Sequence, residues 1–559
     1  MSKKTLFSDN IDRKILPRWR DSSRVAGNSE ALALRSHKRV LSFEAELGRV
    51  REELSKYPHP GIAAEAISLA HFANDVSLHE AAVAVLKEAE SLPANLQRHV
   101  KSATHDEQKS NGNHWGGPEE SIFQVGRLRR LMQHYPRNPL LFMDLARHQS
   151  ILGEHEKAEK STRIALSLAP NHRQILRSSV RFYVNNGEGG VAMRLLAKSP
   201  ATKNDPWLIA AELATAQTEE RAPKFMREAR RILDQRAFQP AMLTELAAAV
   251  GTYELLDGKR KDAKKHFETA LLSPNENALA QIKWADERGK LALAGIEKGF
   301  KRVASANEAA FLRAYSNQDL LIAAPYAEKW YNEEPFSADA AIMATYVYCL
   351  LDDYAAIERI TEFAVRAHPT NYCLHNNDYY ARISSGTLFE GDPTHVDQNI
   401  RQSADILMHQ IRSDTADVAH AAANLGLLLY RMGIPEEGRK AYDYAVQWAT
   451  KRREKFSIAN ALTMHSREAI LAKTEWAPAT LAAAKVAVKQ IPNFSAGLSF
   501  YISKLEALAA DPDNASTILN PATANNYLEK KPPLVLGRDF HIRWQKDGRA
   551  TLIVPHLKA

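Results

Sequence analysis

Three groups of residues in this chain could do chemistry, and each lacks the company its chemistry needs. Gly187-Glu188-Gly189-Gly190 could bring backbone N–H groups close to a phosphate. No Lys-Ser/Thr pair follows to reach the phosphate oxygens or a metal, and the segment falls at a turn between helical stretches. His105-Asp106 sets two metal-ligating side chains side by side, without a further His and Asp in a recognisable arrangement. Cys349 and Cys373 are the 2 cysteines of the chain. They are far apart and have no Cys-x-x-Cys neighbour, which argues against zinc or redox work and against a disulfide scaffold. No Gly-x-Ser-x-Gly elbow, His-Glu-x-x-His helix or kinase signature occurs. The 20 histidines are scattered, and His71, His266 and His368 take helical positions where packing is the default role. The expectation is a chain that is not an enzyme and has neither metal site nor cofactor.

The elements that would carry any site are helical. A chain of 559 residues exceeds what one core holds, which is about 250–300 residues, so it must split into domains or extend as repeats. Hydrophobic residues at 45% and charged residues at 25% are ordinary for a folded chain. The N-terminus has no apolar run of the secretory kind, and the longest apolar stretch, Ala340 to Leu351, is too short to span a bilayer. A soluble, cytoplasmic chain is expected, with no membrane partner. Net charge is +8, unevenly placed: residues 1–42 carry ten basic and four acidic groups, and residues 525–559 carry seven and three. That leaves −2 for residues 43–524. Basic ends on a near-neutral body can contact phosphates or acidic partners, or can simply be solvated tails.

Prolines recur at a spacing of 34 residues: Pro136/Pro170, Pro206/Pro240, Pro240/Pro274 and Pro335/Pro369, together with Pro478/Pro512 and Pro521/Pro555, which fall out of phase with the helical pattern. Composition alone would give about one such pair. Between the in-phase prolines, small and large residues alternate as two crossing helices require. In 139–170, Phe142, Leu145 and Ala146 lie at helical spacing, Gly153 breaks the helix, and Ala158, Ile164 and Ala165 restart it. In 419–449, Leu425 and Gly426 mark the crossing and Tyr430 packs beyond it. Gly433 turns the chain, and Gly438, Tyr442 and Ala445 form the returning face. In 246–274 the order is Gly251, Gly258, Ala263, Phe267, Ala270 and Pro274. On these residues the chain resembles the tetratricopeptide-repeat (TPR) family over roughly residues 60–510. Weaker copies occupy 63–93, 173–200 and 338–369, and degenerate ones 207–240, 307–335, 371–410 and 456–492. Gln149 and Thr162 depart from the pattern where an aromatic is usual, and 207–240 lacks the turn glycine.

The resemblance implies an all-α solenoid of antiparallel helix pairs with a concave groove, in which the first helix of each pair faces a partner. In the family's register the groove positions fall on Leu140, Met143, Arg147 and Ser150, then on Gln174, Arg177, Arg181 and Asn185. Arg147, Arg177, Arg181 and Asn185 would cluster, and arginine forks hold carboxylate or phosphate in a bidentate way. The same register carries Asn376 and Tyr380 towards the groove, although aromatics at helical spacing are more often core. The expected organisation is a basic arm or cap at 1–42, helical repeats at 43–103, a polar loop at 104–118 holding Trp115, a solenoid at 119–510, and a tail at 511–559. Within the arm, Ile15-Leu16-Pro17-Arg18-Trp19-Arg20 sets apolar anchors among basic residues, suited to docking on a partner or on the solenoid itself, whose open ends need covering. Ser29 to Gly48 could begin a capping helix. In the tail, Asp539 to Trp544 and Arg549 to Val554 alternate as a β-hairpin around Asp547-Gly548. The functional expectation is a scaffold or adaptor binding a protein or peptide in the groove. The alternatives are a nucleic-acid-associated regulator using basic ends and the arginine cluster, and a regulatory subunit of a separately encoded enzyme or toxin.

Overall fold

The structure is a computed structural model that describes residues 13–21, 43–73, 75–89, 118, 120–235, 237–413, 417–491, 495–520, 541–544 and 550–553. The polar loop with Trp115 and His105-Asp106, the 29–42 part of the expected capping helix, and the turn at 545–549 lie outside the described residues. Ten antiparallel helix pairs follow one another from Pro139 to Lys489. Before them lie Phe43–Lys56, Pro60–Ala73, Val76–Lys87 and Glu120–His134, and after them the long helix Ser495–Ala510. Two short strands, His541–Trp544 and Ala550–Ile553, pair antiparallel with His541 opposite Ile553. No helix among the described residues is long and apolar enough to cross a membrane.

The prolines mark joints between these pairs, and two of them open helices. Pro206 and Pro240 each stand at the first helical position, where a missing N–H costs nothing. Asp205 caps the first of these by accepting the Trp207 N–H at 2.9 Å. Asn138 and Asn275 cap Pro139–Ile151 and Glu276–Gly289 in the same way. The first helix of a pair is covered on nearly every side. Ala338–Leu351 is buried from Ala340 to Leu350, which explains its apolar run. Second helices show one buried stripe, as in Met226–Gln235, where Ala229, Ile232 and Leu233 face inwards.

Close crossing needs small residues. A Cβ at Gly426 would lie 2.7 Å from the Tyr442 ring, and one at Gly438 would lie 2.5 Å from that of Tyr430. The sequence departures have local compensations. Gln149 accepts a hydrogen bond from the Ser161 hydroxyl at 2.8 Å, so a buried polar pair stands where the aromatic contact is usual. In the pair Pro206–Thr218 and Met226–Gln235, Glu220 takes the left-handed turn conformation at φ 54°. Lys290 and Ala292 do the same after Glu276–Gly289 (φ 48° and 54°), so the left-handed positions of the pair ending at Arg302 are not glycines.

Seven pairs complete one superhelical turn. The turn at Gly153 of the first pair meets the end of the seventh, where an added Cβ would be 2.4 Å from the Arg366 carbonyl oxygen. The last three pairs continue beyond it. Helix Ser495–Ala510 then folds back against Asn307–Ser316 and Ala338–Leu351, bringing Gly497 against Leu350 and Tyr315.

A groove filled by the N-terminal arm

The concave face of the first superhelical turn holds residues 13–21 of the same chain in extended form. Pro17 and the absence of helical hydrogen bonds keep this segment open. Its main-chain carbonyls are taken by groove side chains. Gln281 Nε2 donates to the Arg13 oxygen at 2.8 Å, Asn277 Nδ2 to that of Leu16 at 2.9 Å, and Arg147 Nε to that of Trp19 at 3.0 Å. Trp19 is fully buried, 5.1 Å from the Phe336 ring and edge-on to Phe182 at 6.1 Å. Ile15 joins the core beneath, among residues of Pro206–Thr218 and Pro240–Leu256.

Charge follows the same plan, with arginines of the arm set against a ring of carboxylates. Arg13 grips both oxygens of Glu308 at 2.7 Å each and donates to Gln281 Oε1 at 2.6 Å. Arg18 bridges Glu308 and Glu334, and Arg20 reaches Glu276 at 2.8 Å and Glu333 at 3.3 Å. Asp21 closes the segment against Arg147 at 3.3 Å and His148 at 3.1 Å. Burial pushes the Glu308 carboxyl up, but the guanidiniums of Arg13 and Arg18 outweigh it and hold the group at about 2. Glu334 is likewise lowered, because Arg18 and then Arg181 overcome its burial. Glu276 and Glu333, with weaker partners, are raised by burial.

The four clustered candidates do meet on this surface, and all of them already have partners within the chain. Arg147 binds the arm and donates to the Glu333 carbonyl at 3.0 Å. Arg177 pairs with Glu245 at 2.7 Å and lies over the Trp207 ring at 4.4 Å. Arg181 donates to the Ser337 hydroxyl at 3.1 Å, and Asn185 to the Phe336 carbonyl at 3.4 Å. The reading of an open arginine cluster for an acidic segment or a phosphate is therefore corrected. Neighbouring carboxylates and carbonyls occupy the forks, and the surface facing the arm is acidic. The arm docks on the solenoid itself, one of the two placements its residues suit, and the contact lies inside the groove rather than over an open end.

Asn376 and Tyr380 belong elsewhere. Asn376 accepts from Asn424 through its main-chain oxygen at 2.8 Å, and Tyr380 contacts Arg467 Nη1 through its hydroxyl at 2.5 Å. Both are buried under the later helices, which is the core alternative that their spacing left open. Around them Arg467, Glu468 and Asp352 form a fully buried ionic cluster, joined by Tyr501 at 2.8 Å and Lys504 at 2.6 Å from Asp352. Cys349 and Cys373 are free thiols, each pushed up first by burial. No group of three potential metal ligands occurs among the described residues.

Sequence reasoning singled out the arm but missed its receptors: Asn277, Gln281, Glu308 and Glu334. Of the carboxylates that meet the arm, two could have been found. Glu276 and Glu308 sit in the first turn of inner helices, and an acidic residue there recurs one pair apart.

The fold and this site define a helical-repeat solenoid with a peptide-filled groove. No family model matches the chain, and no curated protein does either. Among solved structures, a monomeric mutant of IFIT1 with Gppp-AAAA is similar over 74% of this chain and 96% of its own, at 12% identity and a TM-score of 0.26. Naa15/Naa10 bound to HypK-THB covers 89% of this chain and 94% of its own, at 15% identity and 0.22. A circular tandem repeat protein with novel repeat topology covers 84% and 99%, at 12% and 0.15. Scores this low carry no argument about function, and the fold rests on the helix pairs described above.

Proposed function

We propose that this is a tetratricopeptide-type scaffold without catalysis of its own, which binds an extended segment of a protein in the groove of its first superhelical turn. One observation carries the reading. Asn277, Gln281 and Arg147 bond main-chain carbonyls along an extended segment, which is how a surface grips a peptide regardless of its side chains. Two free cysteines suit a reducing compartment such as the cytoplasm.

The test is affinity purification of the tagged full chain from its host, with and without nuclease, followed by photo-crosslinking from groove positions. A stoichiometric protein that survives nuclease and crosslinks to Glu276–Gly289 or Asn307–Ser316 supports the reading. Nuclease-sensitive material, or a partner held only at the tail, argues for the nucleic-acid alternative or for a different surface.

A further inference from the structure

The groove does more than accept an extended chain: its walls select the residues that chain carries. This step rests on the peptide-binding reading above and names the partner class. Glu308 and Glu334 are both buried, and each faces a guanidinium of the arm. Were the arm to leave without replacement, Glu308 would lose both of its guanidiniums and Glu334 would keep only the more distant Arg181, at 3.8 Å, which is unfavourable for groups so deeply set in the groove. Whatever replaces the arm must therefore bring cations to the same two places.

The geometry further asks for arginine rather than lysine. Three groups on one planar fork of Arg13 meet both Glu308 oxygens and Gln281, and an ammonium cannot span them. Next along the segment from Arg18 comes the slot of Phe182 and Phe336, filled by the Trp19 indole. We propose that the groove is a receptor for extended, arginine-rich partner segments that carry a tryptophan beside the second arginine, five residues after the first, and that residues 13–21 are an intramolecular pseudo-ligand competing for the same place.

The arm itself is an imperfect occupant. The buried indole N–H of Trp19 and the Nε groups of Arg18 and Arg20 find no acceptor among the described residues, and Glu334 Oε1 receives no donor. Acidic peptides and nucleic acid are disfavoured by the same carboxylates.

The experiment titrates a fluorescent nine-residue peptide with the sequence of residues 13–21 into the full-length protein, wild type and Arg18→Ala/Trp19→Ala. A tethered arm acts at an effective concentration of order millimolar. The expected result is binding to the variant at least about tenfold tighter than to the wild type. Replacing the peptide's counterparts of Arg13 and Arg18 with lysine should weaken binding about tenfold, and replacing them with glutamate should abolish it.

A second measurement covers the case in which the double variant does not fold. Saturating peptide added to the wild type should expose the arm's own Arg18–Trp19 bond to trypsin. If the peptide binds neither protein and leaves the arm protected, the peptide-binding reading fails as a whole. If it binds both proteins equally, or if the lysine, glutamate and arginine peptides bind alike, the scaffold stands and the arginine-selective, arm-gated receptor is overturned. Preferential binding of an RNA oligonucleotide over the peptide would overturn it as well.

Discussion

The two ends of the array solve one problem differently. Each must cover the inward faces of helices that would otherwise meet water. The first superhelical turn uses nine residues from outside the array, held by ion pairs between segments almost three hundred positions apart, such as Arg13 and Glu308. The later part uses its own helices: Arg467 lies at 0% exposure between Asp352, Glu468, Tyr380 and Tyr501, and Ser495–Ala510 closes over them. Both regions bury charge. In the second, every partner sits on a helix that cannot leave without unfolding its neighbours. In the first, one side of each pair is a strip of extended chain that can depart while the helices stay. The difference teaches that a buried ion pair can be a fixed joint or a reversible contact, according to what its two ends are attached to.

The largest test of that contrast lies in the fixed joint. Arg467→Leu removes the buried guanidinium that Asp352 and Glu468 share, leaving Asp352 with Lys504 and Glu468 with Arg431, and should lower global stability by about 3 kcal/mol in urea unfolding. A loss under 1 kcal/mol would show that this cluster is not the joint described.

Acid should then separate the regions in order. His465 is stacked on Tyr442 at 4.7 Å, and burial lowers it to about 4. Its unfolded form takes a proton near pH 6.5 while the folded form resists, so its contribution is complete above 6.5 and is lost as pH falls towards 4. That amounts to ~3 kcal/mol at most. Glu308, held at about 2, contributes fully above its unfolded value near 4.5 and loses that contribution between 4.5 and 2. The urea midpoint should therefore drop first, and pepsin cleavage near Leu16 and Trp19 should appear only below about pH 4. His465→Gln should shrink the first step, to which the lowered His420 and His266 also contribute, and leave the second. Pepsin entry before the midpoint shifts would reverse the order and break the contrast.

The smallest effect belongs to the groove rim. Arg177→Ala loses the Glu245 pair and the stack on Trp207, and should cost about 1 kcal/mol without releasing the arm. Arm exposure in this variant, read by trypsin, would place Arg177 in the contact itself.

Much of this architecture was legible in the residues. Gly426, Tyr430, Gly438 and Tyr442 announced a helix crossing because only glycine permits the approach seen there. The pair from Glu276 to Arg302 went unread because Lys290 and Ala292 make its turn in place of glycine. The arm's apolar and basic residues marked it as a docking segment. Its counter-charges were hidden. Glu308 and Glu334 look like ordinary first-turn and loop acids until the superhelix curls far enough to set them opposite Arg18, and curvature is not written in any one repeat. Asn376 and Tyr380 failed as groove residues for the same reason, because the later helices fold over them.

The most direct measurement is tryptic cleavage of the native full chain, timed at Arg18–Trp19 and Arg20–Asp21, in the wild type and in Glu308→Ala/Glu334→Ala. Docking as described predicts that both bonds resist in the wild type and are cut at least about tenfold faster in the variant, while cleavage within the helix pairs is unchanged. Rapid cutting of the wild-type arm, or equal rates in the two proteins, would contradict a groove filled by residues 13–21.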